Sequence, residues 1–286
     1  MNRQTSSERW GDGSAYEAYM GRWSRRIALD FAAWLGVAPG SAWLDVGCGT
    51  GALSQVLLQT AAPVRVVGID ASAQFIAHAR GLIDDARVSF EVGDAETLGE
   101  HLTGFDAVVA GLVLNHVSDP ARAIEGMTHA ARPGAVIGAY VWDYADQMEL
   151  NRYFWDAATA LDPAAAAFDE GRQVSICNPD ALQRLFSRSL EAVQTSAIVT
   201  PTLFEDFDDY WSPFMDGAGT APRYVRSLEA SQRDALRDAL RGRLPIAGDG
   251  SISLEARAWA AKGQVPGSGT PMGWSDAIKG TPGRLG

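Results

Sequence analysis

A short glycine-rich stretch decides the fold of this chain: residues 44–51 read LDVGCGTG. An apolar run precedes it, as in a buried strand, and a helical pattern follows it from Ala52. Gly47, Gly49 and Ala52 nearly complete the G-x-G-x-x-G/A fingerprint, in which glycine lets the backbone approach a ligand closely. Asp70, at the end of the next apolar run, fits the acid that binds ribose hydroxyls in such folds. The stretch predicts a nucleoside-bearing ligand at a strand-to-helix turn.

Apolar runs alternate with helical patterns from Ser41 to about Val141, as in the βαβ units of a parallel sheet. Val and Ile are enriched in the runs, and Gly or Pro separates them. Ser118 or Asp119, followed by Pro120, can begin the third of the helices. This half of the chain predicts an α/β, Rossmann-like, doubly wound sheet. The predicted strands are 43–46, 64–69, 88–92, 105–114 and 135–142, and the predicted helices are 52–60, 73–83 and 120–132.

After the fifth strand the pattern changes to helices rich in aromatic residues and alanine. Residues 179–189 predict a helix, 191–199 a strand, and 201–243 further helices. Alternating residues in 251–260 predict a final edge strand, and 16–35 predict a helix that leads into the sheet. The predicted organisation is an N-terminal helical segment 1–40, a cofactor-binding core 41–143, a remainder 144–263 whose helical insertions form a substrate cap, and a disordered tail 264–286.

A carboxylate inside the first strand distinguishes between two nucleoside ligands. Asp45 lies two residues before Gly47, where it would repel the pyrophosphate of a nicotinamide dinucleotide on the turn. S-adenosylmethionine carries no phosphate and brings an ammonium and a sulfonium, which an acid attracts. After the third strand, Asp94 can accept from an adenine amine and the Ala95 amide can donate to a ring nitrogen. Asp45, Asp70 and Asp94 fall at the ends of successive strands, where open α/β sheets bind ligands, and together they predict S-adenosylmethionine.

Four motifs carry a resemblance to a known family. They are 44–51, 67–72 (VGIDAS), 93–95 (GDA) and 105–109 (FDAVV), and in this order they resemble motifs I, post-I, II and IV of class I S-adenosylmethionine-dependent methyltransferases. Residues 16–24 (YEAYMGRWS) resemble the helix with which members of the bacterial small-molecule group begin. The resemblance covers about 16–263 and implies a seven-stranded sheet with an antiparallel last strand, consistent with the strand predicted at 251–260.

The resemblance also implies roles for residues at the strand ends. Asp45 and Gly47 would hold the methionine end of the cofactor, and Asp70 would bind the ribose. Asp94 with Ala95 would hold the adenine, while the end of the fourth strand would face the methionine moiety and the methyl group. The full set of predicted cofactor-binding residues is Tyr19, Asp45, Gly47, Cys48, Gly49, Gly51, Asp70, Ala71, Asp94, Ala95, Gly111 and Leu112.

Methyl transfer requires few catalytic side chains, because the sulfonium of the cofactor already activates the methyl carbon. The protein mainly aligns the acceptor, excludes water and, for some acceptors, removes a proton. His116, just past the fourth strand, is the candidate base, and a polar residue at the sheet's edge is the alternative. Residues 115–118 read NHVS where base-methylating and amide-methylating members have Asn/Asp-Pro-Pro-Tyr. The first acid there is Asp119, at a predicted helix start, so no metal is predicted.

Two aromatic segments are candidates for lining the acceptor pocket. One contains Trp142 and Tyr144, and the other contains Trp211. Since Trp211 shares helical spacing with Phe204 and Phe207, packing against the sheet is the alternative for that segment. Insertions of this kind carry specificity without a readable code, so the sequence does not predict the acceptor atom.

The composition of the chain limits the classes of partner that it is expected to bind. A net charge of -11 disfavours nucleic acid, whose binding is driven largely by Lys and Arg. No apolar run reaches the ~18 residues of a membrane-spanning helix, and two cysteines with a polar N-terminus predict a cytoplasmic protein. The sequence therefore predicts an S-adenosylmethionine-dependent methyltransferase with a small-molecule acceptor. The alternatives are a nicotinamide oxidoreductase and a non-catalytic S-adenosylmethionine-binding module.

Overall fold

The computed structural model of the chain describes residues 22–217 and 219–267. Its strands are β1 Ala42–Val46, β2 Arg65–Asp70, β3 Val88–Val92, β4 Phe105–Gly111, β5 Ala131–Trp142, β6 Glu191–Phe204 and β7 Ile252–Gln264. They form one seven-stranded sheet in the order β3-β2-β1-β4-β5-β7-β6. The first five strands are parallel, and β7 is antiparallel to both β5 and β6. The predicted fold class, with its antiparallel last strand, is confirmed.

Helices connect the strands, and polar residues mark where several of them begin. Asp119 caps the helix after β4: its Oδ1 accepts from the amides of Ala121 at 3.0 Å and Arg122 at 3.1 Å. Pro120 occupies the first turn, where its missing N–H costs nothing. Of the two predicted caps, Asp119 is the one used. The helices are α1 Arg22–Leu35, α2 Ala52–Thr60, α3 Ala73–Leu82, α4 Pro120–Ala130, α5 Glu149–Leu161, α6 Glu170–Gln173, α7 Pro179–Phe186, α8 Phe207–Asp216, α9 Thr220–Ser227 and α10 Ala230–Arg241.

The core of the sheet lies around β1, all of whose residues are buried. β1 pairs with β2 on one side and with β4 on the other. Parallel strands covered on both faces need apolar side chains throughout, which accounts for the apolar runs in the sequence. Asp45 is the exception, since it is a carboxylate in the middle of a wholly buried strand.

The prediction that 201–243 is helical throughout is wrong at its start, because β6 continues to Phe204. Thr202 and Phe204 are buried while Leu203 between them is exposed, which is the period of two of a half-covered strand. β6 lies at the edge of the sheet, where a strand tolerates the proline at position 201. Helices do follow from Phe207 onward.

The ends of the described chain bear on two further predictions. Gln264, assigned from the sequence to the tail, is the last residue of β7 and pairs with Val136. Residues 268–286 lie outside the described residues, as do 1–21, which include Tyr19. The division of the chain into an N-terminal segment, core, cap and tail stays a prediction.

Candidate cofactor and acceptor site

The carboxyl ends of β3, β2, β1 and β4 lie side by side along one edge of the sheet. From β1 the chain proceeds outward to β2 and β3, and then returns to β4 on the other side of β1. Such a reversal of strand order opens a crevice in which open α/β sheets bind ligands. Asp45 lies in β1, Asp70 ends β2, and Asp94 follows β3. The fold therefore places the three predicted acids along this edge.

Asp45 is a deeply buried carboxylate, with 1% of its surface exposed. Its Oδ2 accepts a hydrogen bond of 2.7 Å from the hydroxyl of Ser54, in α2. Its Oδ1 is buried and has no hydrogen-bond partner among the described residues. Burial raises the pKa of Asp45 to about 7, with a small contribution from the charge of Asp70. A buried carboxylate oxygen without a hydrogen-bond partner fits a ligand that brings a hydrogen-bond donor or a positive charge.

The glycine turn combines one crowded position and one open position. Gly47 has a φ of 70°, and a Cβ there would lie 2.4 Å from Val113 Cγ2, so the segment after β4 lies against the turn. Gly49 has a φ of 56°, and no described atom would lie within 4 Å of a Cβ there. Both conformations belong to the left-handed region that favours glycine. A ligand can therefore approach the backbone at Gly49.

Asp70 braces the same turn. Its Oδ2 accepts from the Gly49 amide at 3.0 Å, and its Oδ1 accepts from the Ser72 amide at 2.8 Å. Burial raises the pKa of Asp70, and these two amides oppose the rise. A carboxylate has about four lone-pair sites, so two hydrogen bonds leave acceptor capacity for ribose hydroxyls.

Asp94 organises the turn after β3. Its Oδ1 accepts from the Glu96 amide at 2.8 Å, and its backbone carbonyl accepts from the Thr97 amide at 3.2 Å. Asp94 is exposed, and Ala95 beside it is half-buried. The turn places the Asp94 carboxylate next to Ala95, and the role of both residues toward adenine stays a prediction.

Leu112 and Gly111, at the end of β4, are fixed by Tyr140 of β5. The Leu112 amide donates to the Tyr140 carbonyl at 2.8 Å. A Cβ at Gly111 would lie 2.6 Å from the Tyr140 hydroxyl oxygen. Leu112 has a φ of 61°, a conformation that costs a residue with a Cβ about 1–2 kcal/mol. Non-glycine residues keep such a backbone only where their surroundings impose it, and these positions cluster at functional sites.

His116 is half-buried on the segment between β4 and α4. Its Nε2 lies 3.0 Å from Nδ2 of Asn115. With the amide in this orientation, Nε2 accepts and the ring proton lies on Nδ1. Asn115 Oδ1 is buried with no hydrogen-bond partner among the described residues. With the amide turned, Oδ1 would accept from Nε2–H and leave Nδ1 as the basic nitrogen, so the contact fixes which ring nitrogen faces Asn115 and leaves the position of the proton open.

Residues 38–192, more than half of the chain, match the methyltransferase domain family. The chain belongs to this family. The match confirms the resemblance seen in the four motifs and, with it, S-adenosylmethionine as the cofactor of the domain.

Individual relatives share part of this methyltransferase domain. The ubiquinone biosynthesis O-methyltransferase of Hahella chejuensis is 38% identical over 112 residues, or 38% of this chain and 46% of that protein. A structure from Anaeromyxobacter dehalogenans, provisionally assigned as a type II methyltransferase, is 20% identical with a TM-score of 0.62, covering 84% of this chain and 97% of that one. Phosphoethanolamine N-methyltransferase 2 of Haemonchus contortus, in complex with S-adenosyl-L-methionine, is 16% identical with a TM-score of 0.56, covering 89% and 56%. The two structures share the fold, and the chain spans less than half the length of the curated relatives it matches.

The aromatic residues predicted to line the acceptor pocket of the methyltransferase domain are buried. Trp142, Tyr144 and Trp211 have 2%, 6% and 8% of their surfaces exposed. Trp211 stacks on Phe207, with ring centroids 6.5 Å apart and planes 12° apart. All of these side chains belong to the main hydrophobic cluster. Trp211 therefore packs within the core, and the role of all three residues toward an acceptor stays a prediction.

Cys48, Gly51 and Ala71, three further residues of the predicted set, lie just after β1 and β2. Cys48 is buried, and burial raises the pKa of its thiol well above the usual value. A Cβ at Gly51 would lie 2.8 Å from the Ile83 side chain, and Ala71 is exposed. Tyr19 lies outside the described residues. The cofactor-binding roles predicted for these four residues stay predictions.

Sequence reasoning missed three residues of the site. Ser54 donates to Asp45, Val113 covers Gly47, and Glu96 binds the segment after β4. Each meets its partner only after the chain has folded, so none has a local signal.

Two kinds of feature are absent from the described residues. No group of three or more His, Cys, Asp or Glu side chains among them is arranged to hold a metal ion. None of their helices has both the length and the apolar character needed to cross a membrane.

Proposed function

We propose that this chain is an S-adenosylmethionine-dependent methyltransferase that acts on a small, partly apolar acceptor. One observation carries the proposal: in a chain of the methyltransferase domain family, a buried carboxylate with an unused oxygen stands beside an open glycine turn. Asp45 supplies the carboxylate and Gly49 the open backbone. The other two acids of the edge, Asp70 and Asp94, support the same assignment.

The residues along this edge would divide the cofactor between them. Asp45 and Gly47 would hold the methionine end, Asp70 the ribose hydroxyls, and Asp94 with Ala95 the adenine. When bound, the cofactor supplies a methyl carbon activated by a positively charged sulfur. The ionised Asp45 would compensate positive charge next to the turn in a place with little water.

The apolar segment after β4 would exclude water from the site of methyl transfer. Leu112, Val113 and Leu114 are half-buried or buried, and Val113 already lies against Gly47. An acceptor aligned in a dry site reacts faster because orientation and desolvation remove much of the barrier. We propose that the helices inserted between β5 and β7 form the cap that completes this site.

His116 would remove a proton where the acceptor needs it. Nε2 lies against the Asn115 amide, so the imidazole would take up the proton at Nδ1 when Asn115 Oδ1 accepts from Nε2–H. His116→Ala is the direct test: turnover should fall at least about ten-fold, with loss of the acid limb of the pH profile. If turnover of His116→Ala equals that of wild type from about pH 6 to 9, His116 is a polar residue at the sheet's edge and not the base.

A small-molecule acceptor in the cytoplasm is supported by three features. Relatives of the chain are O-methyltransferases of ubiquinone biosynthesis, as their name states, and ubiquinone is a small molecule. The net charge of -11 disfavours a nucleic-acid acceptor. Both cysteines are free thiols, as is usual in a reducing compartment.

The cofactor and the reaction are tested separately. Calorimetry with S-adenosylhomocysteine should give a binding isotherm, and NAD should give none; the reverse result would favour the nicotinamide oxidoreductase. Transfer of a labelled methyl group to a panel of phenols, amines and thiols then tests catalysis. Cofactor binding without transfer to any acceptor would favour the non-catalytic binding module, which the burial of Trp142, Tyr144 and Trp211 also allows.

A further inference from the structure

Glu96 connects two segments that are far apart in the chain. It lies in the turn after β3, and its Oε1 accepts from the backbone amides of both Ser118 and Asp119, the latter at 3.1 Å. Its own amide donates to Asp94 Oδ1 at 2.8 Å. β2 and β1 separate β3 from β4 in the sheet, so these bonds bridge the part of the edge where Asp45 and Asp70 lie.

The Asp119 amide, one of the two that Glu96 accepts from, has no acceptor of the usual kind within its own helix. In a capping box, the third residue of a helix accepts from the amide of the cap. In α4 the cap is Asp119 and the third residue is Arg122, which has no acceptor atom. A carboxylate from another turn therefore takes this place, where the positive end of the helix dipole also favours it.

The segment held in this way carries the candidate acceptor-facing residues. It begins at Leu112, whose amide is bound by Tyr140, and continues through Val113, which lies against Gly47. It ends at Ser118, two residues after His116. Glu96 is thus the connection between this segment and the turn that contains Asp94.

We propose that Glu96 is a positioning residue that ties the segment 112–118 to the turn 93–96, so that cofactor and acceptor are held in one alignment. This rests on the proposed function. Glu96 itself touches neither reacting group; it acts through the backbone of the segment that carries His116.

Three substitutions of Glu96 distinguish the effect of its side-chain length from the effect of its charge. Glu96→Ala removes the acceptor, Glu96→Asp keeps the charge but shortens the side chain, and Glu96→Gln keeps the reach and an acceptor oxygen. Glu100→Ala, an exposed acid of the same connection, is the matched control. In the ligand-free protein, amide hydrogen exchange in 112–119 should rise at least about ten-fold in Glu96→Ala and Glu96→Asp. Glu96→Gln should restore most of the protection.

Kinetics distinguish positioning from general destabilisation. In Glu96→Ala we expect kcat to fall about ten-fold or more while KM for S-adenosylmethionine rises no more than about three-fold, with rescue by Glu96→Gln. Exchange and kinetics equal to those of Glu100→Ala would overturn the proposal. If Glu96→Ala does not fold, the comparison of Glu96→Asp with Glu96→Gln decides. If no variant, wild type included, binds S-adenosylhomocysteine, the proposed function fails while the exchange experiment still tests the connection.

Discussion

At the scale of single residues, Asp45 gives the ligand-free protein a specific dependence on pH. Its pKa is about 7 in the folded chain, compared with about 4 in an unfolded one. Below about pH 4 the carboxyl is protonated in both states, and between about pH 4 and 7 only the unfolded chain releases the proton. Its contribution to stability is therefore present at low pH and is lost as the pH rises through this window.

Asp45→Asn should remove this dependence. The free energy of unfolding of the ligand-free variant should fall less between about pH 5 and 8 than that of wild type, by urea unfolding. Asp94→Asn, at an exposed carboxylate, should follow wild type. Parallel profiles for wild type and Asp45→Asn would contradict a buried ionisation at this position. The affinity for S-adenosylhomocysteine should also tighten from about pH 6 to 8 in wild type only, because the ionised form attracts an ammonium.

Asp70 is expected to matter for both the turn and the cofactor. Asp70→Ala should weaken S-adenosylhomocysteine binding about ten-fold or more, since hydrogen bonds to charged groups contribute about 1.5–3 kcal/mol. Ser72→Ala is the control, because it removes the hydroxyl that accepts from the Phe75 amide at 3.3 Å and leaves the carboxylate in place. Calorimetry measures both. An affinity unchanged in Asp70→Ala would remove this residue from the cofactor site.

At the scale of elements, two adjacent residues test the extension of β6. Leu203 has 56% of its surface exposed and Phe204 has 2%. Phe204 packs against Trp23 and Tyr210, each with ring centroids 5.3 Å away. Phe204→Ala should cost about 3–5 kcal/mol of unfolding free energy, whereas Leu203→Ala should change it by about 0.5 kcal/mol or less. Equal losses in denaturant unfolding would contradict the alternation of a strand.

The elements also show what the sequence could and could not predict. The five parallel strands were predictable because each is an apolar run bounded by turn residues, and Asp45, Gly47 and Asp70 because their positions follow from those runs. The end of β6 was not predictable, because Pro201 and the spacing of the aromatic residues from Phe204 onward are also compatible with a helix. Contacts such as that of Glu96 with the start of α4 depend on how separate segments meet, which no local pattern records.

At the scale of the whole molecule, an ion pair joins the two ends of the inserted helical region. Arg257 Nε of β7 donates to Asp143 Oδ2, just after β5, at 2.7 Å. Asp143 has 3% of its side chain exposed and Arg257 has 18%, and Arg257 also reaches the exposed Asp146 at 2.9 Å. The pair holds together segments that lie more than a hundred residues apart.

Breaking this pair should destabilise the whole fold. Asp143→Ala should lower the free energy of unfolding by about 2–4 kcal/mol, below the full loss for a buried pair because Asp146 and solvent still reach the guanidinium. Asp146→Ala, with 73% of that side chain exposed, should cost about 1 kcal/mol or less. Equilibrium unfolding in urea gives both values. A loss in Asp146→Ala as large as in Asp143→Ala would show that the buried carboxylate is not the main partner.

The place of β7 between β5 and β6 has a consequence for how the chain folds. The strands that carry the cofactor edge are complete by Gly111, yet β5 keeps one unpaired edge and β6 has no partner until residues 252–264 arrive. Pairing of such distant segments is slow, and unpaired apolar strands favour aggregation in the meantime. Refolding should therefore be limited by the insertion of β7, with the half of the molecule that holds the glycine turn ordered first.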